Sequence, residues 1–147
     1  MEWYRPGAVV LQCGADSLAE DKLGPFNLSM RGHASCVAFL RSFNVPMVLV
    51  GGGGYTIRNV ARTWAFEVGV AAGVELDKNL PFDEYMEYYG PEFKLDVPCN
   101  NMENHNSREY LQKIAYGSRP LCFPLLCLLL ATLTWLVCEP ARPSSMA

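Results

Sequence analysis

Residues 50–59 read VGGGGYTIRN, four glycines set between two segments of different periodicity. Before them, Met47–Val50 is a short apolar run; after them, Ile57, Val60, Ala61, Trp64, Val68 and Ala71 recur at helical spacing, with Arg58, Asn59 and Arg62 off that face. The order is strand, loop, helix. A phosphate-binding P-loop needs a Lys-Ser/Thr pair after its last glycine, and the dinucleotide fingerprint needs a third glycine three residues beyond the second. Here that third position falls on Thr56 or Ile57 and no lysine follows, so the loop is not built for a nucleotide.

Working outward, residues 8–13, AVVLQC, form a continuous apolar run stopped by Gly14, the pattern of a strand buried on both faces. Between the two runs, Met30, Cys36, Val37, Phe39 and Leu40 mark a helix over Ser29–Phe43, with Ser29 as its N-cap and a turn at Asn44–Pro46. Strand, helix, strand is a βαβ crossover, right-handed in nearly every case. Ligands of open α/β sheets sit at the carboxyl ends of the strands. There the first strand delivers Asp16, through CGADSL, and the second delivers Tyr55. Asp16 also reads as a turn-capping aspartate and Tyr55 as a ring packed over the loop. Four successive glycines cost chain entropy and serve where a backbone must approach something closely, which favours a substrate.

The 147 residues suit one domain with a real core. Half are hydrophobic and 18% charged, which excludes a disordered chain; the net charge of −3 and the lack of a Lys/Arg cluster supply no footprint for direct DNA or RNA binding. The six cysteines form no CxxC pair, and three lie within apolar runs, as expected in a reducing compartment. The opening MEWYRPGAVVL lacks the basic and apolar regions of an export signal, so secretion is not expected.

Residues 77–106 are acidic, aromatic and turn-rich, which predicts short helices and loops over the sheet with Tyr85, Tyr88, Tyr89 and Phe93 packed there. Ser107 caps a further helix beginning SREYLQKI. Residues 121–138 then carry no charge over 18 positions, the lower edge of a membrane-spanning length, although Pro124 would distort the first turn. The segment reads either as a tail anchor in contact with a membrane or as an unselected replacement of a natural domain end.

Taken together, VVLQCGADSL, DKLGPFNLSMRGH, SFNVPM and GGGGYTIRNVARTW closely resemble class I, RPD3-type zinc-dependent histone deacetylases of plants and other eukaryotes. The resemblance runs from about Met1 to Ile114, through FDEYMEYYGPEFKL and NMENHNSREYL, and is lost beyond it. It implies the C-terminal part of a parallel-sheet, three-layer α/β/α, arginase-like deacetylase domain over 1–114, followed by a non-family hydrophobic tail over 115–147. It also implies lysine deacetylation on acetylated histone tails in the nucleus, as part of a corepressor complex that represses transcription.

Carried over by motif, Asp16 is a zinc-binding aspartate and Tyr55 the tyrosine whose hydroxyl supports the tetrahedral oxyanion. Gly53 lines the acyl-lysine channel and Leu23 its rim. Lys22 and Arg58 match basic positions that contact an inositol phosphate shared with a corepressor. Lysine at 22 replaces the more usual arginine and lacks its bidentate fork. The family's Asp-x-His zinc motif, histidine dyad and channel phenylalanines lie upstream of the segment present here. His33 and His105 match none of them, His33 being expected as structural and His105 as exposed. Pro25 and Thr63 replace cysteines common in the family, changes expected to be tolerated.

With one zinc ligand and no general base, the chain alone is expected to bind zinc weakly and not to catalyse hydrolysis. It would also expose a sheet edge and an apolar face. The alternatives are a non-catalytic corepressor-binding module working through Lys22 and Arg58, and a membrane-tethered splice form held outside the nucleus.

Overall fold

The computed structural model describes residues 1 and 5–117; the stretch 121–138 and nearly all of the expected tail lie outside the described residues. Two units are distinguished, Met1–Asn100 and Asn101–Ala147.

The first unit is built on two parallel strands, β1 (Val9–Gln12) and β2 (Met47–Val50), paired in register from Val9 with Met47 to Gln12 with Val50. Helix α1 (Met30–Arg41) connects them, and helix α2 (Ile57–Ala72) follows β2. The βαβ-loop-α order read from the sequence is therefore present. Ser29 caps α1 as expected, its Oγ accepting the Gly32 N–H at 3.1 Å. At the far end of α2, Gly73 takes the left-handed conformation with φ of 74° and closes the helix.

Helix α1 buries Met30, Ala34, Val37 and Leu40, an apolar face at helical spacing. Met30 enters a small core with Leu95 and Val97, against which Phe66 and Leu80 pack. The Met30 N–H also donates to the Val97 carbonyl at 2.8 Å, tying the 94–97 segment to the start of α1.

Three sequence expectations are corrected. The apolar face assigned to α2 is not its buried one: Asn59, Thr63 and Glu67 are buried, while Ile57, Ala61 and Val68 are exposed. The buried stripe is rotated by roughly a quarter turn, because α2 meets α1 and the 14–20 loop through polar groups. The β strands do not bury both faces. Val9, Leu11, Met47 and Leu49 are half-buried, whereas Val10 (73%), Val48 (55%) and Val50 are exposed on the other side. Of the four aromatics expected to pack, Tyr85 and Tyr88 are exposed and only Tyr89 and Phe93 are half-buried. A single 3-10 turn, Met86–Tyr89, holds that segment, and at three residues per turn Tyr88 falls on the same outward side as Tyr85 before it.

In the second unit, helix α3 (Arg108–Gly117) starts at Ser107, whose Oγ accepts the Tyr110 N–H at 3.1 Å. Among the described residues no helix is long and apolar enough to cross a membrane.

Candidate functional site

Parallel pairing puts the carboxyl ends of β1 and β2 side by side, and the two loops that leave them interlock. Asp16 lies on a 3-10 turn, Ala15–Ser17, directly after β1. The Ala15 N–H donates to the Gly53 carbonyl at 2.7 Å, stitching the turn to the glycine loop. A Cβ on Gly53 would lie 2.3 Å from Asp16 Oδ2, so the carboxylate rests on bare glycine backbone. Gly54 has φ of 143°, a conformation that side-chain-bearing residues rarely adopt. The glycines thus accommodate the aspartate and the turn that delivers Tyr55.

Tyr55 stands at the end of this loop, with 45% of its surface exposed. Its position is fixed by a residue the sequence reading passed over, Asp21. Asp21 Oδ1 accepts the N–H groups of Leu23 and Gly24, each at 2.9 Å, and Oδ2 accepts the Tyr55 N–H at 2.8 Å. Thr56 Oγ1 adds a bond to the Glu20 carbonyl at 2.7 Å. Partial burial pushes the Asp21 carboxyl up, but these backbone donors outweigh it and hold the group below the usual carboxylate range. The clamp ties the segment of exposed Lys22 and Leu23 to the loop that carries Tyr55, which leads three residues on to exposed Arg58 in α2. The signal in the sequence was Asp21 three positions before Gly24, an aspartate able to fold back on its own backbone.

Beneath the loops lies a second missed constellation. His33 of α1 pairs through Nδ1 with the Glu67 carboxylate of α2, and its Nε2 donates to the Gly14 carbonyl at 2.9 Å. The Gly14 carbonyl can only accept, which places a proton on Nε2, and the Glu67 carboxylate beside Nδ1 favours a second proton there. Burial works against that charge, but the Glu67 hydrogen bond and charge outweigh it and raise the His33 pKa. Glu67 is only 2% exposed. His33 thereby ties both helices to the backbone two residues before Asp16. Nearby, burial followed by the Glu67 charge pushes the Cys13 thiol up to about 12 and the Cys36 thiol up to about 11. Both stay protonated and behave as small hydrophobes. His105 is exposed in the second unit.

As for zinc, the edge offers Asp16, but among the described residues no group of three His, Cys, Asp or Glu side chains could hold a metal ion. His33 cannot serve, since both its nitrogens are engaged. The residues described here therefore do not fit a zinc ion, which needs at least three protein ligands. A cavity of about 190 Å³ lies elsewhere, among Arg62, Leu80, Tyr89 and Leu95.

Thr63, one of the three positions that depart from the resembled family, is fully buried in α2, and its hydroxyl has no hydrogen-bond partner among the described residues.

Comparison with known proteins gives this edge its context. The histone deacetylase domain family matches residues 1–71. Histone deacetylase clr6 of Schizosaccharomyces pombe is 65% identical over 114 residues, covering 78% of this chain and 28% of the relative. Histone deacetylase RPD3 of Saccharomyces cerevisiae is 64% identical over the same length, covering 78% and 26%. Histone deacetylase 3 of Oryza sativa is 66% identical, covering 78% and 22%. The chain thus spans about a quarter of the length of the curated relatives it matches. Histone deacetylases are generally zinc-dependent, and the parallel two-stranded sheet with its helices is part of their arginase-like α/β fold. The domain match and the identity over these 114 residues place this part of the chain among the class I, RPD3-like histone deacetylases.

Proposed function

We propose that residues 1–114 carry one side of an acetyl-lysine-hydrolysing site acting on histone tails in the nucleus, in a corepressor complex. The observation that carries this reading is the interlocking of Asp16 with the Gly51–Tyr55 loop at one sheet edge. In it, Asp16 is an anionic ligand aimed at the edge, and the Tyr55 hydroxyl donates a hydrogen bond to the oxyanion of the tetrahedral intermediate. Gly53, whose bare backbone seats the Asp16 carboxylate, lines the acyl-lysine channel, and Leu23, exposed at the rim, flanks its aliphatic stem. The chain by itself neither holds zinc stoichiometrically nor turns over substrate, because among the described residues this edge offers too few ligands and no free histidine base.

The test is a chimaera in which residues 1–114 replace the matching segment of clr6. It deacetylates an acetyl-lysine peptide, and Tyr55→Phe lowers kcat by about 10²–10³. A folded chimaera without activity, or one indifferent to Tyr55→Phe, overturns the reading. The purified 147-residue chain shows no stoichiometric zinc by metal analysis and no turnover; finding both would overturn the claim that it is incomplete alone.

A second reading rests on the Asp21 clamp, which ties the turn next to Lys22 to the loop that leads into α2 and Arg58. In it the chain is a non-catalytic module that binds an inositol phosphate and a corepressor through those two residues. Titration with inositol hexakisphosphate tests it: binding abolished by Lys22→Ala with Arg58→Ala supports it, and binding unaffected by that pair excludes it. A tail acting as a membrane anchor would instead place the chain in the cytoplasm or at a membrane, and retention of a tagged tail in membrane pellets after carbonate washing is its test.

A further inference from the structure

The loop that carries Tyr55 has little of its own to hold it still. Four successive glycines give its backbone more freedom than residues with side chains would, and Gly54 uses that freedom at φ of 143°. The Tyr55 ring is half out in solvent, so packing does not settle its place either. Two bonds reach it from the turn after β1. Asp21 Oδ2 accepts the Tyr55 N–H, and the hydroxyl of the next residue, Thr56, donates to the Glu20 carbonyl.

That turn is itself firmly built. The Ala19 N–H donates to the Leu28 carbonyl at 2.9 Å and the Leu28 N–H to the Ser17 carbonyl at 3.1 Å. Glu20 holds φ of 63°, a left-handed conformation that a residue with a side chain keeps only where its surroundings over-determine it. A Cβ on Gly24 would fall 1.6 Å from the Asp16 carbonyl oxygen, so the turn lies directly on the backbone of Asp16. One carboxylate joins this base to the glycine loop, and its two oxygens have different partners. Oδ1 closes the turn through the Leu23 and Gly24 N–H groups, and Oδ2 reaches across to Tyr55.

We propose that Asp21 is a positioning residue for the reaction, setting through its Oδ2 where the Tyr55 hydroxyl stands relative to Asp16. The proposal rests on the catalytic reading above and adds to it the group that keeps its oxyanion donor in place. An oxyanion donor works only at hydrogen-bond distance from the developing charge, so a displacement of about 1 Å lowers kcat by up to about 10²-fold. Substitution separates the two oxygens. In Asp21→Asn the amide oxygen can keep both turn bonds only by aiming its NH2 group at the Tyr55 N–H, donor against donor. The turn survives and the tie to Tyr55 is lost, whereas Asp21→Ala loses both.

Two measurements test this. In the 147-residue chain, amide hydrogen exchange followed by NMR shows Tyr55 protected, and Asp21→Asn releases Tyr55 while Leu23, Gly24 and the amides of α1 keep their rates. Equal Tyr55 exchange in the two proteins overturns the proposal. In the clr6 chimaera, Asp21→Asn lowers kcat by about 10–10²-fold with KM changed by less than about twofold, and adds no further loss once Tyr55→Phe has removed the hydroxyl it positions. A loss of equal size in both backgrounds makes Asp21 a support of the fold only, and a raised KM at constant kcat makes it a rim residue; either overturns the positioning role. An inactive parent chimaera counts against the catalytic reading, and the amide exchange then decides by itself whether Asp21 holds Tyr55.

Discussion

Helices α1 and α2 lie next to each other in the chain's first unit, yet they bury opposite kinds of surface. Helix α1 follows the ordinary rule and hides Met30, Ala34, Val37 and Leu40. Helix α2 hides Asn59, Thr63 and Glu67 and shows Ile57 and Val68 to solvent. The difference teaches that an amphipathic pattern identifies a helix but not the face that this chain covers. Where α2 packs, it works by pairing: Glu67 with His33, and Asn59 with the Ala19 carbonyl and the Arg62 guanidinium. Of its apolar residues, Phe66 packs against the small core, while Ile57, Ala61 and Val68 are open.

If that contrast is correct, the largest effect of any change in α2 comes from a carboxylate. Glu67→Ala leaves the His33 imidazolium buried without its partner and costs about 3–5 kcal/mol, against a whole-domain stability on the order of 5–15 kcal/mol. Urea titration followed by circular dichroism reads it directly. A loss below about 1 kcal/mol, the scale of an exposed ion pair, would break the comparison.

The same pair makes stability fall with pH in a defined sense. Because the folded His33 pKa lies above its unfolded value of about 6.5, its contribution is complete below that value. It disappears as pH rises through the folded pKa. Melting temperature against pH in the wild-type chain declines across that window, and Glu67→Gln flattens the decline. An unchanged profile in Glu67→Gln would show that His33 does not depend on Glu67 for its proton.

How much of this was legible beforehand follows the kind of interaction concerned. The βαβ order, the Ser29 cap and the meeting of Asp16 with the glycine loop rest on local periodicity and on parallel topology, and both are written in short stretches of sequence. The Asp21 clamp joins residues 34 positions apart, as does the His33–Glu67 pair. Neither partner of either pair looks unusual alone, so no local pattern announces them. The face of α2 failed for a related reason. Its apolar stripe is real, but what covers such a stripe is decided by other parts of a domain, and Glu67 reads as a solvated charge until His33 is placed beside it.

A smaller effect sharpens the polar side of the comparison. Thr63 sits between Asn59 and Glu67 on the buried stripe, but its hydroxyl is unpaired among the described residues. Thr63→Val keeps the shape and removes the uncompensated oxygen, which gains about 1 kcal/mol, whereas the other two residues of the stripe lose stability on any apolar replacement. Parallel urea titrations of Thr63→Val and Asn59→Leu separate the cases. If Thr63→Val destabilises, the hydroxyl has a partner after all and the stripe is polar throughout.

The smallest effect is expected where the sequence pattern alone would place the largest. Val68 lies in the middle of the apolar face of α2, at a position periodicity assigns to the core, yet 62% of it is exposed. Val68→Lys therefore shifts the urea midpoint of the isolated chain by no more than about 0.5 kcal/mol, as surface substitutions do. A loss of 2 kcal/mol or more would mean that Val68 is covered in solution, that α2 has turned its apolar side inward, and that the contrast with α1 disappears. A null effect paired with a large one at Glu67 fixes the orientation of α2 from two point substitutions, since consecutive side chains point about 100° apart around the axis and a face centred on Glu67 leaves Val68 outside it.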